Sequence, residues 1–213
     1  MKRIISVIEL IVFFFIFSIS LIHCSPVKGA LYKSPQENSP GVILLHGWIR
    51  PGNPWNDLSW RLRKQGYTVY APDLPQVTVS QMLIEVDSHF QYLIGQGVDP
   101  NRVALIGEST GANTALWYAG KNPKIKTIIL LSPGYRYHIP LSWKEMQQYG
   151  TRPVLIVTSE YDNEYPSSAQ DSQNLLKQAK GRKELKFASS GHGIGMFDSK
   201  VFDWIISWLK ETL

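Results

Sequence analysis

The sequence is short of cysteine and of charge, and each shortage excludes a class of protein. One cysteine in 213 residues excludes an intrachain disulfide framework and a four-thiolate zinc site. Charged residues make up 18% of the chain, and the formal net charge is only +5. Because no run of five or more Lys or Arg occurs, a nucleic-acid partner is not expected. Seven Trp, ten Tyr and eight Phe in turn exclude a disordered chain, and the length suits one domain.

The longest apolar run lies at the amino end. Lys2 and Arg3 precede residues 10–22, in which only two serines interrupt the apolar side chains. A positive flank followed by an apolar core is typical of an export signal. We therefore expect residues 1–24 to be an export signal or a membrane anchor, with the globular part outside the cytoplasm.

Cys24 directly follows this run. Residues 21–24 (LIHC) resemble the lipobox of bacterial lipoproteins, in which the cysteine accepts a lipid. Leu21 fits that pattern, whereas His23 departs from it, because the processing peptidase prefers Gly, Ala or Ser there. A lipid anchor on Cys24, an uncleaved anchor and a secreted form all remain open, and the first two make the membrane a partner.

Beyond this segment the chain alternates between two patterns. Residues 25–40 are polar with three prolines and are interpreted as a linker or an edge segment. The predicted strands are 42–45, 67–71, 102–106, 125–131, 153–158 and 185–188, and the predicted helices are 55–65, 79–94, 110–120, 169–179 and 197–209. Such alternation predicts an α/β domain over residues 41–213, with a mostly parallel central sheet and helices on both faces. Residues 132–153 have room for a loop and a short helix but not for a lid domain.

Gly107-Glu108-Ser109-Thr110-Gly111 joins the third predicted strand to the next helix. This is G-x-S-x-G in a strand-to-helix turn, the context in which the pattern marks a nucleophile. Small neighbours let the strand and the helix cross closely, and a strained backbone projects the serine hydroxyl clear of the sheet. The helix N-terminus also favours developing negative charge. The pattern therefore predicts Ser109 as a nucleophile.

His46-Gly47-Trp48 follows the first predicted strand. A backbone N–H at this point is placed to donate to a carbonyl oxygen under attack. The N–H groups of Trp48 and Thr110 are predicted to form an oxyanion hole. The side chain of His46 is expected to bond to the backbone and orient the turn.

A serine nucleophile near neutral pH needs a base, and the base needs an orienting carboxylate. His192 is predicted as the base, because it follows the last strand between two glycines. His138, in the loop after the fourth strand, is the alternative and could line a pocket. His89 lies within an amphipathic helix and is expected to be exposed or half-buried. No metal site is predicted, since no second His or Cys stands at ligand spacing from His192.

Three acidic residues follow the fifth predicted strand. Asp162 is favoured as the orienting carboxylate, 30 residues before His192, and Glu160 and Glu164 are its rivals. The order Ser, Asp, His along the chain is the one typical of a strand–elbow–helix nucleophile.

These motifs together resemble the α/β-hydrolases, and within them the small, lid-less, dienelactone-hydrolase-like group. The matching segments are HGW (46–48), GESTG (107–111), LLSPGYRY (130–137), RPVLIVTSEYD (152–162) and GHG (191–193), which span most of residues 40–210. Dienelactone hydrolases proper use a cysteine nucleophile. Because Ser109 stands at that position here, true dienelactone activity is not expected.

The resemblance implies transfer of an acyl group from a small ester or thioester to water, without a cofactor. Four aromatic residues are candidates to line an open pocket: Trp48, Trp55, Tyr135 and Tyr137. A non-catalytic binding protein on the same fold, and an acyltransferase or peptidase, remain as alternatives.

Overall fold

The computed structural model describes residues 28–48 and 54–213. In this part of the chain seven strands form one sheet, in the order β1-β3-β2-β4-β5-β6-β7. The strands are β1 (Gly29–Tyr32), β2 (Gly41–Leu45), β3 (Thr68–Pro72), β4 (Val103–Glu108), β5 (Ile125–Leu131), β6 (Val154–Ser159) and β7 (Lys183–Ala188). All neighbouring strands are parallel except β1, which runs antiparallel to β3. The predicted, mostly parallel sheet is confirmed.

Six α-helices accompany the sheet in the described residues. They are α1 (Asn56–Lys64), α2 (Val79–Gly95), α3 (Thr110–Lys121), α4 (Trp143–Tyr149), α5 (Ser168–Lys177) and α6 (Ser199–Thr212), with a short 3₁₀ helix at Gly193–Met196. Every predicted strand and helix is present, and their bounds differ from the predicted ones by three residues or fewer. Helix α4 is the short helix expected within residues 132–153.

The first strand lies inside the stretch interpreted as a linker or an edge segment. Its register pairs Gly29 with Pro72 and Tyr32 with Val69, and the Tyr70 hydroxyl donates a hydrogen bond to Lys28 O. Of the two interpretations, the edge segment is confirmed for residues 29–32, which form an edge strand and not a linker. Backbone pairing to β3 stabilises this strand, and its four residues (GALY) are too few to leave a periodic pattern in the sequence.

Alternate residues of the central strands face opposite sides of the sheet. In β2, Ile43 and Leu45 pack in a cluster with α2, α3, α4 and α5, whereas Val42 and Leu44 pack with α1 and α6. Because both faces are covered, the central strands are continuous apolar runs.

Two side chains lie elsewhere than the sequence indicated. His89 is 3% exposed and packs against Tyr70 at a ring-centroid distance of 5.6 Å, so the expectation of an exposed or half-buried residue is wrong. It follows Val86 by three positions and precedes Leu93 by four, which places it on the buried face of α2. Trp55 is 1% exposed and packs against Phe197 in the core.

The sheet order places one crevice at the carboxyl ends of its strands. The neighbours of β2 are β3 on one side and β4 on the other, so the chain order reverses there. Ligands of open α/β sheets bind at such a switch point. The loops that follow β2 and β4 contain His46 to Trp48 and Ser109, so these predicted residues meet at one edge.

Within residues 28–48 and 54–213, no helix has both the length and the apolar character needed to cross a bilayer. The predicted export segment, residues 1–24 with Cys24, lies outside the described residues.

Candidate active site

Ser109 stands between β4 and α3 in a strained conformation, with φ 52° and ψ −123°. The glycines two residues before and after it, Gly107 and Gly111, have no room for a side chain. A Cβ on Gly107 would collide with the carbonyl of Gly111, and a Cβ on Gly111 would collide with the carbonyl of Leu45. The small residues of the motif are therefore required by the close crossing of α3 over β4 and β2. The backbone strain is of the kind that clusters at functional sites.

His192 and Asp162 form a buried pair at the same edge of the sheet. The Nδ1 of His192 lies 2.7 Å from Oδ2 of Asp162, and the side chains are 5% and 1% exposed. The other carboxylate oxygen, Oδ1, accepts hydrogen bonds from the N–H groups of Glu164 and Tyr165, at 3.1 and 2.8 Å. With Nδ1 donating to the carboxylate, Nε2 is the nitrogen of a neutral ring that can accept a proton. The rival acids Glu160 and Glu164 are exposed.

Tyr137 packs against His192. Its ring is perpendicular to the imidazole, with centroids 6.1 Å apart, and its hydroxyl donates to Ser132 O at 2.9 Å. Burial raises the pKa of Tyr137, so its hydroxyl stays protonated at neutral pH.

No hydrogen bond between Ser109 and His192 occurs in the part of the chain that the structure describes, and Nδ1 of His192 is bonded to Asp162. Catalytic hydrogen bonds are often absent or long before substrate binds, and they form in the Michaelis complex. The structure therefore brings Asp162 and His192 into direct contact, and Ser109 lies at the same edge of the sheet.

The loop after β2 approaches the elbow closely. A Cβ on Gly47 would lie 3.1 Å from Cβ of Ser109, and the Gly47 N–H donates to Glu108 Oε1 at 3.2 Å. The next N–H in this loop is that of Trp48. Thr110 is the first residue of α3, where N–H groups have no intrahelical acceptor. Thr110 therefore follows Ser109 in the chain, and Trp48 follows Gly47, which approaches Ser109 in space; both residues line one cavity.

The side chain of His46 bonds to the backbone on both sides. Leu74 N–H donates to its Nε2 at 2.9 Å, so the proton of the neutral ring is on Nδ1, which donates to Gly47 O at 2.7 Å. The prediction that His46 orients the turn is confirmed.

A cavity of about 250 Å³ opens beside the elbow. Its lining includes Trp48, Leu74, Met82, Thr110, Thr114 and His138. His138 stacks edge-on against Trp48, with centroids 5.0 Å apart, and its Nε2 bonds to Val77 O at 3.2 Å. The alternative base is thus a wall of the cavity and does not contact Asp162. Of the four aromatic candidates, Trp48 lines this cavity, while Trp55, Tyr135 and Tyr137 do not.

Sequence reasoning assigned no role to the second residue of the elbow, Glu108. Its side chain is fully buried, and its carboxylate accepts the N–H of Gly47 and that of Ile194, the latter at 2.8 Å. Ser132 was also missed; its φ is 49°, and its Oγ accepts the N–H of Gly193 at 3.0 Å. The available signal was an acidic residue at the end of a strand whose other residues are all apolar.

No group of three or more His, Cys, Asp or Glu side chains able to hold a metal ion occurs in residues 28–48 and 54–213.

Comparison with known proteins gives a consistent family. The family model described as alpha/beta hydrolase fold matches residues 40–148, just over half of the chain. Cutinase est1 of Thermobifida alba is 24% identical over 201 residues, which cover 86% of this chain and 64% of the cutinase. The chain therefore spans less than two thirds of the length of this relative.

Solved structures share the architecture at low sequence identity. A monoacylglycerol lipase from Paleococcus ferrophilus superposes with a TM-score of 0.73 at 17% identity, covering 87% of this chain and 98% of the lipase. A candidate dienelactone hydrolase from Klebsiella pneumoniae gives a TM-score of 0.72 at 18% identity, with 84% and 90% of the two chains covered. At these identities the likeness establishes a common fold.

Proposed function

Because the chain belongs to the α/β-hydrolase family, we propose that it is a serine hydrolase that cleaves a carboxylic ester or thioester of a small substrate. The observation that carries this proposal is the buried pair of His192 and Asp162, 2.7 Å apart, at the same sheet edge as the strained Ser109. The names of the similar proteins, which include a cutinase and a lipase, support ester cleavage as the reaction class.

In the first half of the proposed reaction, Ser109 Oγ forms a bond to the carbonyl carbon while His192 Nε2 takes the hydroxyl proton. The Asp162 carboxylate stabilises the imidazolium and holds the ring through Nδ1–H. The electrons of the carbonyl double bond move to its oxygen, which accepts hydrogen bonds from the N–H groups of Trp48 and Thr110. When the tetrahedral intermediate collapses, the bond to the alcohol or thiol breaks and His192 protonates the leaving group.

Water completes the cycle. His192 takes a proton from a water molecule that attacks the acyl-enzyme carbonyl, and the second tetrahedral intermediate collapses to the free acid. The proton returns to Ser109 Oγ, so the enzyme is restored. Each proton in this sequence moves between water, substrate and side chains of this chain, so the mechanism needs no cofactor.

We place the acyl group in the cavity lined by Trp48, Thr110 and Met82. The cavity begins at the two residues proposed as oxyanion donors, so a carbonyl bound there directs its acyl chain inward. A volume of about 250 Å³ is below the roughly 300–1,000 Å³ typical of sites for drug-sized ligands. Short acyl chains fit such a site.

The first test is covalent labelling of the full-length protein, in a mild detergent, with a fluorophosphonate probe. Wild type should be labelled, and Ser109→Ala and His192→Ala should not be labelled. Asp162→Asn should lower kcat for p-nitrophenyl butyrate on the order of 10³–10⁴-fold, because the imidazole loses its orienting partner.

Three variants separate the assignments. Glu160→Gln and Glu164→Gln remove the exposed rival acids and should leave kcat unchanged, and His138→Ala should retain labelling. If His138→Ala lost labelling while His192→Ala kept it, His138 would be identified as the general base. A folded wild type that is not labelled would contradict the hydrolase and favour a binding protein. Acyl transfer to an added amine or alcohol in preference to water would indicate an acyltransferase.

Export through residues 1–24 and lipidation of Cys24 stay predictions from the sequence, since both lie outside the described residues.

A further inference from the structure

The buried carboxylate of Glu108 lies between the two loops that the proposed reaction needs. Glu108 is the last residue of β4 and directly precedes Ser109, and its side chain is fully buried. Oε1 accepts the N–H of Gly47, in the loop that contains the oxyanion donor Trp48. Oε2 accepts the N–H of Ile194, two residues after His192.

We propose that Glu108 is a positioning residue that sets the distance between the oxyanion hole and the general base. This inference rests on the proposed function. Its two carboxylate oxygens fix the loop after β2 and the loop after β7 to the residue that precedes the nucleophile. Displacement of either loop relative to Ser109 then requires a hydrogen bond to break, which is costly because it leaves the buried Glu108 carboxylate with an unsatisfied oxygen.

The chemistry of the two partners explains why the residue is Glu. Both partners are N–H donors, so the position needs two acceptor oxygens. A glutamine of the same length has one acceptor oxygen, and its NH₂ group would face a donor. An aspartate has both oxygens but is one methylene shorter, so its carboxylate cannot reach both donors from the same backbone position.

Packing around Glu108 fits this role. A Cβ on Gly193 would collide with Oε2 of Glu108, so the loop that contains His192 follows the carboxylate without an intervening side chain. The N–H of Gly193 is held separately by Ser132 Oγ at 3.0 Å. The loop of His192 therefore has two anchors, Glu108 and Ser132, whereas Glu108 also anchors the loop of Trp48.

This difference defines the experiment. Wild type, Glu108→Gln, Glu108→Asp, Ser132→Ala and Arg152→Lys are prepared as full-length proteins and compared at a temperature where all are folded. Arg152 lies at the amino end of β6, opposite the site, and its substitution controls for loss of stability alone. Amide hydrogen exchange of peptides covering 44–48 and 191–196 is measured with kcat and KM for p-nitrophenyl butyrate.

Glu108→Gln should lower kcat on the order of 30–100-fold, since small displacements of catalytic groups have effects of that size, while KM changes about threefold or less. Glu108→Asp should also have a kcat below that of wild type, because the shorter side chain keeps the negative charge but cannot reach both N–H donors. Both variants should speed amide exchange in both peptides. Ser132→Ala should speed exchange only in the peptide covering 191–196, and Arg152→Lys should change exchange in neither peptide.

The proposal is overturned if Glu108→Gln keeps kcat within about twofold of wild type, a difference too small for a displaced catalytic group. It is also overturned if Glu108→Asp restores activity, or if Arg152→Lys loses as much kcat. Amide exchange does not depend on activity. If wild type proves inactive and unlabelled while the exchange pattern is found, the proposed function fails and the anchoring by Glu108 stands.

Discussion

Met82 illustrates how one side chain on the second helix can limit the substrate. It lines the cavity beside the elbow and is 5% exposed. Met82→Ala should enlarge the cavity toward α2 and make room for a longer acyl chain. Because a buried methylene contributes about 0.8 kcal/mol, we expect the kcat/KM ratio of p-nitrophenyl octanoate to butyrate to rise roughly tenfold.

Met146→Ala is the matched control for this substitution. Met146 is fully buried in the same core cluster, on α4, but it does not line the cavity. Each truncation should lower the free energy of unfolding by about 2–5 kcal/mol, so both variants are assayed well below their melting temperatures. An unchanged chain-length ratio in Met82→Ala, or an equal change in Met146→Ala, would place the acyl chain elsewhere.

At the scale of the element, Arg152 joins the carboxyl ends of two helices. Its guanidinium donates to the carbonyl of Ala119 in α3, to those of Asn122 and Ile125 beyond it, and to Tyr149 at the end of α4. It also stacks on the Tyr149 ring, with Cζ 4.3 Å from the centroid. Helix carboxyl ends expose carbonyls that need such donors.

A lysine cannot replace this planar set of donors. We expect Arg152→Lys to lower the free energy of unfolding by about 2 kcal/mol, which corresponds to roughly 4–8 °C in Tm for a chain of this size. Arg63→Lys is the control, since Arg63 makes one exposed hydrogen bond to Lys33 O. Its effect should be about 0.5 kcal/mol or less in chemical denaturation. Equal losses in the two variants would contradict the prediction.

At the scale of the whole molecule, His89 makes the stability of the fold depend on pH. Burial lowers the pKa of His89 to about 4, partly opposed by the nearby Asp73 carboxylate. An unfolded chain binds the proton below pH about 6.5, and the folded chain only near pH 4. Protonation therefore favours unfolding, and stability should fall by about 2–3 kcal/mol as the pH drops from 6.5 to 4.

Two substitutions of His89 separate the effect of its protonation from the cost of burying its unpaired ring nitrogens. Neither ring nitrogen of His89 has a hydrogen-bond partner among the described residues. His89→Phe should flatten this part of the pH dependence and also stabilise the fold at pH 7, because it removes an unsatisfied polar group. His89→Asn should flatten it without the gain at pH 7. Urea unfolding between pH 4 and 7 measures both, and an unchanged slope in the two variants would exclude His89 as the cause.

The sequence by itself determined six strands of the sheet, the helices and the candidates for the site. Uninterrupted runs such as Ile125–Leu131 predict strands buried on both faces, and the spacing of Met82, Val86 and Phe90 predicts a helix. Gly107 and Gly111 on either side of Ser109 predict the nucleophile, because steric crowding at a strand-to-helix turn permits few residue types. These are local constraints, so each leaves a pattern within about ten residues of chain.

Only the tertiary structure decided which candidates meet. The sequence favours Asp162 over its rivals without showing which acid meets His192, and the fold buries Asp162 against His192 while leaving Glu160 exposed. It also shows Glu108 between two loops that are 61 and 86 residues away along the chain. Long-range hydrogen bonds of this kind, like the backbone pairing that makes residues 29–32 a strand, depend on distances across the sheet. Such distances leave no periodic signal in the sequence.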